Sequence, residues 1–180
     1  MKKTITFFCS GKTNLKEEYN LNITNLIKKI DIDKISIAYG GGRVGLMGVV
    51  RDTFLSINGT IISSNMRIFK EEGIEDDYLF DNIDQRQKKL VELGDAYVIL
   101  PGGFGTLFEL FEVITKNQIG EASKPILIYN YNNVYDNIVL LIEKLMEERF
   151  IKHDLANYKI EVYTNYDDLA ERINNLHTTI

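Results

Sequence analysis

Short runs rich in isoleucine, valine and tyrosine alternate along the chain with longer segments in which apolar positions recur every three or four residues. The short runs predict strands at 4–9, 34–39, 60–64, 96–100, 125–129 and 159–163, because β-branched and aromatic side chains suit a pleated, buried surface. The longer segments predict helices at 15–30, 44–57, 82–93, 106–119, 134–148 and 167–176. An alternation of strand and helix kept from end to end predicts a doubly wound α/β domain, a mainly parallel sheet with helices on both faces. Pro101 and Pro125 fall at strand ends, where a missing N–H is tolerable. Segment 65–81 carries neither period. A connection of that length in a compact domain predicts a lid or a partner surface.

Composition narrows function more than fold. The 180 residues, 44% hydrophobic and 26% charged, suit one folded domain and exclude a disordered or fibrous chain. With 21 basic against 26 acidic side chains the net charge is −5, which argues against nucleic acid as a partner. Cys9 is the single cysteine, so no intramolecular disulfide can form. His153 and His177 are too far apart for a zinc-ligand spacing. The apolar stretch after Met1, Lys2 and Lys3 is too short for a signal-peptide core, and no run approaches the roughly 18 residues of a membrane span. The expectation is a mature cytoplasmic protein with no membrane partner.

Two glycine loops bear on the chemistry. The first, Gly40-Gly41-Gly42-Arg43-Val44-Gly45-Leu46-Met47-Gly48, follows a predicted strand and opens a predicted helix. Glycines let a backbone approach a phosphate, and a helix N-terminus turns free N–H groups and partial positive charge toward it. Gly40, Gly42 and Gly45 also match a dinucleotide fingerprint, but that site needs an acidic residue at the end of the next strand, where Ser63, Ser64 and Asn65 stand. The plainest alternative is that these glycines serve a tight turn. The second loop, Pro101-Gly102-Gly103-Phe104-Gly105-Thr106, again joins a strand to a helix, so both loops face the crevice at the carboxyl ends of the strands. Thr106 and Glu109 form a capping-box pattern, a purely structural explanation for both. The Pro-Gly-Gly-x-Gly ahead of them holds more glycine than a helix start requires.

Arg86 adds an independent signal. By helical spacing it shares the apolar stripe of Ile83, Leu90 and Leu93, and a charge on an inward face needs a partner. Gln87 shares this side, whereas Lys88, Lys89 and Glu92 read as a solvated face. Gly11-Lys12-Thr13 fails as a P-loop because Thr6 occupies the position of its first glycine. Ser10 and Gly11 still fall at the crevice, at the end of the first strand. Cys9 reads as a small core residue, with no histidine near it in sequence to activate a thiolate.

Together these motifs resemble the LONELY GUY (LOG) family, the cytokinin riboside 5′-monophosphate phosphoribohydrolases formerly described as lysine decarboxylases. Its Pro-Gly-Gly-x-Gly-Thr-x-x-Glu corresponds to 101–109, its Gly-Gly-Gly-x-x-Gly-Leu-Met-Gly to 40–48, and its arginine to Arg86; the resemblance spans about 7–150. Three positions depart from the pattern: Gln87 stands where lysine is usual, Phe108 where a first glutamate is frequent, and Ile61-Ile62-Ser63-Ser64-Asn65 where Ile-Gly-Val-Ile-Pro is common.

The resemblance implies a Rossmann-like homodimer that hydrolyses the N-glycosidic bond of a nucleoside 5′-monophosphate, with no metal and no cofactor. Glu109 would orient or deprotonate water at C1′, and Arg86 would bind the phosphate or stabilise the leaving group. Gly102, Gly103, Gly105 and Thr106 would hold the phosphate. Gly41, Gly42, Arg43 and Gly45 would close over sugar or phosphate, and Glu112 would contact ribose or base. The altered positions bear on the preferred base. Alternatives are cleavage of ordinary AMP or another purine nucleotide, and a carrier of the molybdenum-cofactor type that binds a phosphorylated ligand without cleaving it. No pyridoxal-binding constellation supports lysine decarboxylation.

Overall fold

The computed structural model describes residues 2–70, 76–152 and 155–176. The strands are β1 (Lys3–Phe8), β2 (Ile35–Tyr39), β3 (Ile61–Met66), β4 (Tyr78–Phe80), β5 (Ala96–Ile99), β6 (Ile126–Tyr129) and β7 (Ile160–Tyr163). They form one sheet in the order β4-β3-β2-β1-β5-β6-β7, and every pairing among the described residues is parallel. The helices are α1 (Glu17–Lys28), α2 (Gly45–Ser56), α3 (Ile83–Leu93), α4 (Phe104–Ile119), α5 (Asp136–Glu147) and α6 (Tyr166–Asn174).

The strand residues show why both faces are covered. Side chains alternate across a strand, and in the central strands both sets are apolar. Ile5, Phe7, Val98, Leu100 and Leu127 pack with residues of α1, α2 and α6 in one cluster. Phe8, Tyr97, Ile99, Ile126 and Ile128 pack with α3, α4 and α5 in the other. The chain steps outward from β1 through β2 and β3 on one side, then returns to β5 on the other. The Rossmann-like, doubly wound architecture expected from the pattern is therefore present, and its sheet is more uniformly parallel than expected.

β4 departs from the expectation of a loop over 65–81. β3 runs on to Met66, and its last three residues pair with Tyr78, Leu79 and Phe80. Asp77 secures the approach, its carboxylate accepting from the Ser63 backbone N–H at 2.7 Å and the Ser63 hydroxyl at 2.9 Å. Three residues are too few to show a period, so the sequence pattern cannot signal this edge strand. Residues 71–75 of the expected lid lie outside the described residues, as do His153 and His177. Among the described residues no helix is long and apolar enough to cross a membrane.

Candidate active site

Arg86 stands in the first turn of α3 and reaches across the carboxyl ends of the strands. Its Nη1 donates to Glu109 Oε1 at 3.1 Å, its Nη2 to the Gly40 carbonyl at 3.3 Å, and its Nε to the Ser64 carbonyl at 3.2 Å. One guanidinium thus ties α4 to the first glycine loop and to the end of β3. The ion-paired side chains are 14% and 9% exposed, so the partner required for an inward charge is Glu109. The face of α3 differs from the expected stripe: Ile83 is exposed, and the buried residues are Gln87, Leu90 and Val91. Arg86 sits beside that face, where its head reaches the crevice.

The capping-box expectation for Thr106 and Glu109 is overturned. α4 begins at Phe104, with Gly103 as its cap, so Thr106 lies inside the first turn. Glycine is itself an accepted cap, which lets the helix start earlier than Thr106. The Glu109 carboxylate, freed from capping, faces Arg86. Burial pushes the Glu109 carboxyl up to about 7; the Arg86 cation opposes this, and the charge of Glu112 on the next turn adds to it. Cys9 is buried at the end of β1, and that burial, reinforced by Glu109, raises its thiol well above the ordinary range. It is a core thiol and not a nucleophile.

The two loops are braced against each other from below. The Ser10 N–H donates to the Pro101 carbonyl at 3.2 Å, and the Ser10 carbonyl accepts from Met47 N–H at 3.2 Å. Ser10 therefore lies between the loops, as its place at a strand end suggested. Gly45 has φ +61, and a Cβ there would stand 2.5 Å from the Lys12 carbonyl oxygen, so the first loop cannot carry a side chain at that point. Gly41 (φ +80) lies against Asn65, and Gly42 against Met47. Gly102 lies under Thr106, whose hydroxyl a Cβ would strike.

Gly103 and Gly105 are different, because a Cβ on either would meet nothing within 4 Å. Neighbouring protein atoms do not require glycine at these two positions. Gly103 caps α4 and Gly105 lies in its first turn, where N–H groups lack intrahelical acceptors. An open, side-chain-free helix start is suited to an anion.

The remaining expected residues are less tightly gathered. Glu112 pairs with Lys116 at 3.9 Å. Gln87 is buried beside Arg86. Arg43 makes no hydrogen bond or ion pair among the described residues, and its charge is felt at the Tyr39 hydroxyl. Residues not foreseen also shape the site. Ser64 accepts from Arg86 Nε through its carbonyl, and its hydroxyl donates to the Arg86 carbonyl at 3.4 Å. The Tyr135 hydroxyl donates to the Leu100 carbonyl at 2.7 Å and meets the Gly102 N–H, propping the second loop from α5's leading edge. Asn130 orients that tyrosine, its Oδ1 accepting from the Tyr135 N–H at 2.7 Å. An aromatic residue after a strand gave no signal of this.

The family model described as "Possible lysine decarboxylase" matches residues 39–173. The chain belongs to the LOG family that this model covers. This LOG-family chain is 33% identical over 154 residues to the probable cytokinin riboside 5′-monophosphate phosphoribohydrolase LOG6 of Arabidopsis thaliana, a match covering 83% of the chain and 77% of that relative. It is 32% identical over 155 residues to the cytokinin riboside 5′-monophosphate phosphoribohydrolase of Rhodococcoides fascians, covering 83% of the chain and 78% of the relative. Among solved structures, the molybdenum cofactor carrier protein of Chlamydomonas reinhardtii aligns with TM-score 0.71 at 14% identity, covering 99% of the chain and 100% of the carrier. The molybdenum cofactor binding protein of Rippkaea orientalis aligns with TM-score 0.69 at 18% identity, covering 98% of each. At these identities the structural likeness establishes the shared fold.

Proposed function

We propose that the protein hydrolyses the N-glycosidic bond of a purine nucleoside 5′-monophosphate, including N6-modified AMP, to free base and ribose 5-phosphate. The observation that carries this is a buried Arg86–Glu109 pair between two glycine loops, with the carboxyl near neutrality. A group that titrates near neutral pH is suited to accept and return a proton. The activity for which the relatives are named supports the same chemistry.

The 5′-phosphate binds at the start of α4, against the backbone of Gly102, Gly103 and Gly105 and the Thr106 residue. This sets C1′ over Glu109. The C1′–N bond breaks with its electron pair going to the base, and positive charge develops on the sugar beside the carboxylate. Glu109 takes one proton from water as the oxygen bonds to C1′, and that proton leaves on the base nitrogen. Arg86 holds the carboxylate in place; of its five N–H donors, those not bonded to Glu109, Gly40 and Ser64 face phosphate or base. The first glycine loop, with Gly41, Gly42, Arg43 and Gly45, closes the opposite wall.

The outer face of α4 supports a homodimer. Phe104, Phe108, Phe111 and Ile119 are exposed there, although the inner face of the same helix is already buried. A helix apolar on both sides needs a second partner.

The test is product analysis on AMP and isopentenyl-AMP in parallel, with Glu109→Gln as control. Release of base and ribose 5-phosphate that disappears in the variant supports the proposal. Tight binding of both nucleotides without release removes it and leaves a carrier of phosphorylated ligands.

A further inference from the structure

β5 keeps its ladder with β1 as far as Leu100, whose N–H donates to the Phe8 carbonyl at 2.9 Å. In a regular strand the N–H and C=O of one residue point to the same side, so the next bond from β1 would go to the Leu100 carbonyl. The Ser10 N–H instead reaches the Pro101 carbonyl, and the Leu100 carbonyl turns to the opposite flank. β6 does not meet it there. Continued in register, Asn130 would stand opposite Pro101, but β6 ends at Tyr129. The Asn130 N–H is committed to the Tyr163 carbonyl at 2.7 Å, and its side chain to the Tyr135 N–H and the Asp136 carboxylate. Two backbone groups are left over, the Leu100 carbonyl and the Gly102 N–H, one on each side of a proline that has no N–H of its own. Both meet the Tyr135 hydroxyl, which is donor and acceptor at once. This side chain, 2% exposed, takes the place of the strand residue that β6 does not supply. Gly102 packs against Thr106 so closely that a Cβ would strike the threonine hydroxyl, so the place where Tyr135 holds Gly102 sets the first turn of α4.

We propose that Tyr135 is a positioning residue for nucleotide binding, holding the backbone from Gly102 to Thr106 in the shape that receives the 5′-phosphate. This rests on the function proposed above for the placing of the phosphate, and adds to it a residue that never touches the ligand. With the Gly102 N–H engaged by the tyrosine, the donors left for an anion are the N–H groups that follow, at the start of α4. A backbone fixed beforehand needs no ordering when the ligand arrives, and the affinity that ordering would consume is kept. Removing the hydroxyl strands a carbonyl and an N–H on either side of Pro101, and the turn must shift to find them other partners. Asn130 acts one step further back, by fixing the backbone from which Tyr135 reaches the turn. The consequence falls on the phosphate, which this turn holds, and spares the base.

The experiment measures kcat and KM for AMP on the wild-type protein, Tyr135→Phe and Asn130→Ala, with calorimetric binding of ribose 5-phosphate and of adenine, which carry the phosphate and the base separately. Melting temperature is recorded on each. Tyr135→Phe is expected to raise KM for AMP and Kd for ribose 5-phosphate together by about tenfold. An unchanged kcat and unchanged adenine binding are expected beside it, since the lost interaction serves ground state and transition state alike. The melting temperature falls by about 2–8 °C. Asn130→Ala moves the same two constants in the same direction by about threefold, and decides the matter alone if Tyr135→Phe does not fold. A lower melting temperature with Kd for ribose 5-phosphate unmoved shows a merely structural tyrosine and overturns the inference. Equal losses for ribose 5-phosphate and adenine overturn it as well. Ribose 5-phosphate binding that responds to the variants in a wild-type protein unable to cleave AMP keeps the inference and removes the hydrolase function alone. Binding of neither AMP nor ribose 5-phosphate by the wild-type protein overturns both.

Discussion

At the scale of single residues, Glu109 and Arg86 depend on each other through desolvation. Burial raises the carboxyl above its ordinary value to about 7, so between about 4.5 and 7 the folded protein binds more proton than the unfolded chain. Stability contributed by this group is therefore present at low pH and is lost as pH rises through that window. Denaturant titrations of Glu109→Gln and wild type should diverge in slope against pH across it. In the proposed mechanism Glu109 acts in its ionised form, so base release by the free protein should rise with pH through about 7. Glu109→Gln should lower the rate by about 10²- to 10⁴-fold, the usual contribution of a general base. Arg86→Met leaves Glu109 buried without its cation. Urea unfolding should show a loss of about 3–5 kcal/mol at pH 8, and a smaller one at pH 5.5, where the carboxyl is protonated.

The glycines divide into two classes at the scale of the elements, and substitution separates them. Gly45 meets the Lys12 backbone and has a positive φ, so Gly45→Ala should cost about 1–3 kcal/mol by thermal or chemical unfolding. Gly105 lies in the first turn of α4 with open space at its Cβ position. Gly105→Ala should leave the fold unchanged or stabilise it by about 0.5–1 kcal/mol. A methyl group there obstructs a phosphate, so KM for the nucleotide should rise about tenfold, a loss of about 1.4 kcal/mol in binding. Stability and affinity moving in opposite directions would identify the start of α4 as the anion site. An unchanged KM would place the phosphate elsewhere.

For the whole molecule, the decisive surface is α4. Phe104 is 93% exposed and Ile119 62%, while Leu110 and Val113 of the same helix are fully buried. Phe108, Phe111, Glu112, Thr115 and Lys116 border a groove along this outer face. Light scattering should find the wild-type chain a dimer, and replacing Phe108 and Ile119 together by aspartate should give a folded monomer. A wild-type monomer with full activity would remove the dimer from the account.

Much of this molecule was written locally. Alternating strand and helix periods determined the layered architecture, because a buried parallel strand must be apolar on both faces and a covering helix on one. The first glycine loop was legible because few other residues tolerate the backbone at Gly41 and Gly45, the second because it holds more glycine than a helix start requires, and Arg86 because a charge at an inward helical position is conspicuous. What the tertiary structure alone decided depends on contacts between distant segments. Thr106 and Glu109 spell a capping box locally, yet α4 starts earlier and the Glu109 carboxylate faces Arg86, 23 residues away. β4 exists because β3 has an open edge to pair with, which no three-residue pattern announces. The support of Tyr135 for the Gly102 loop and the Arg86 bond to the Ser64 carbonyl likewise arise from packing. Periodicity is a property of neighbours in the chain, whereas a carboxylate's proton affinity is set by what the fold places around it.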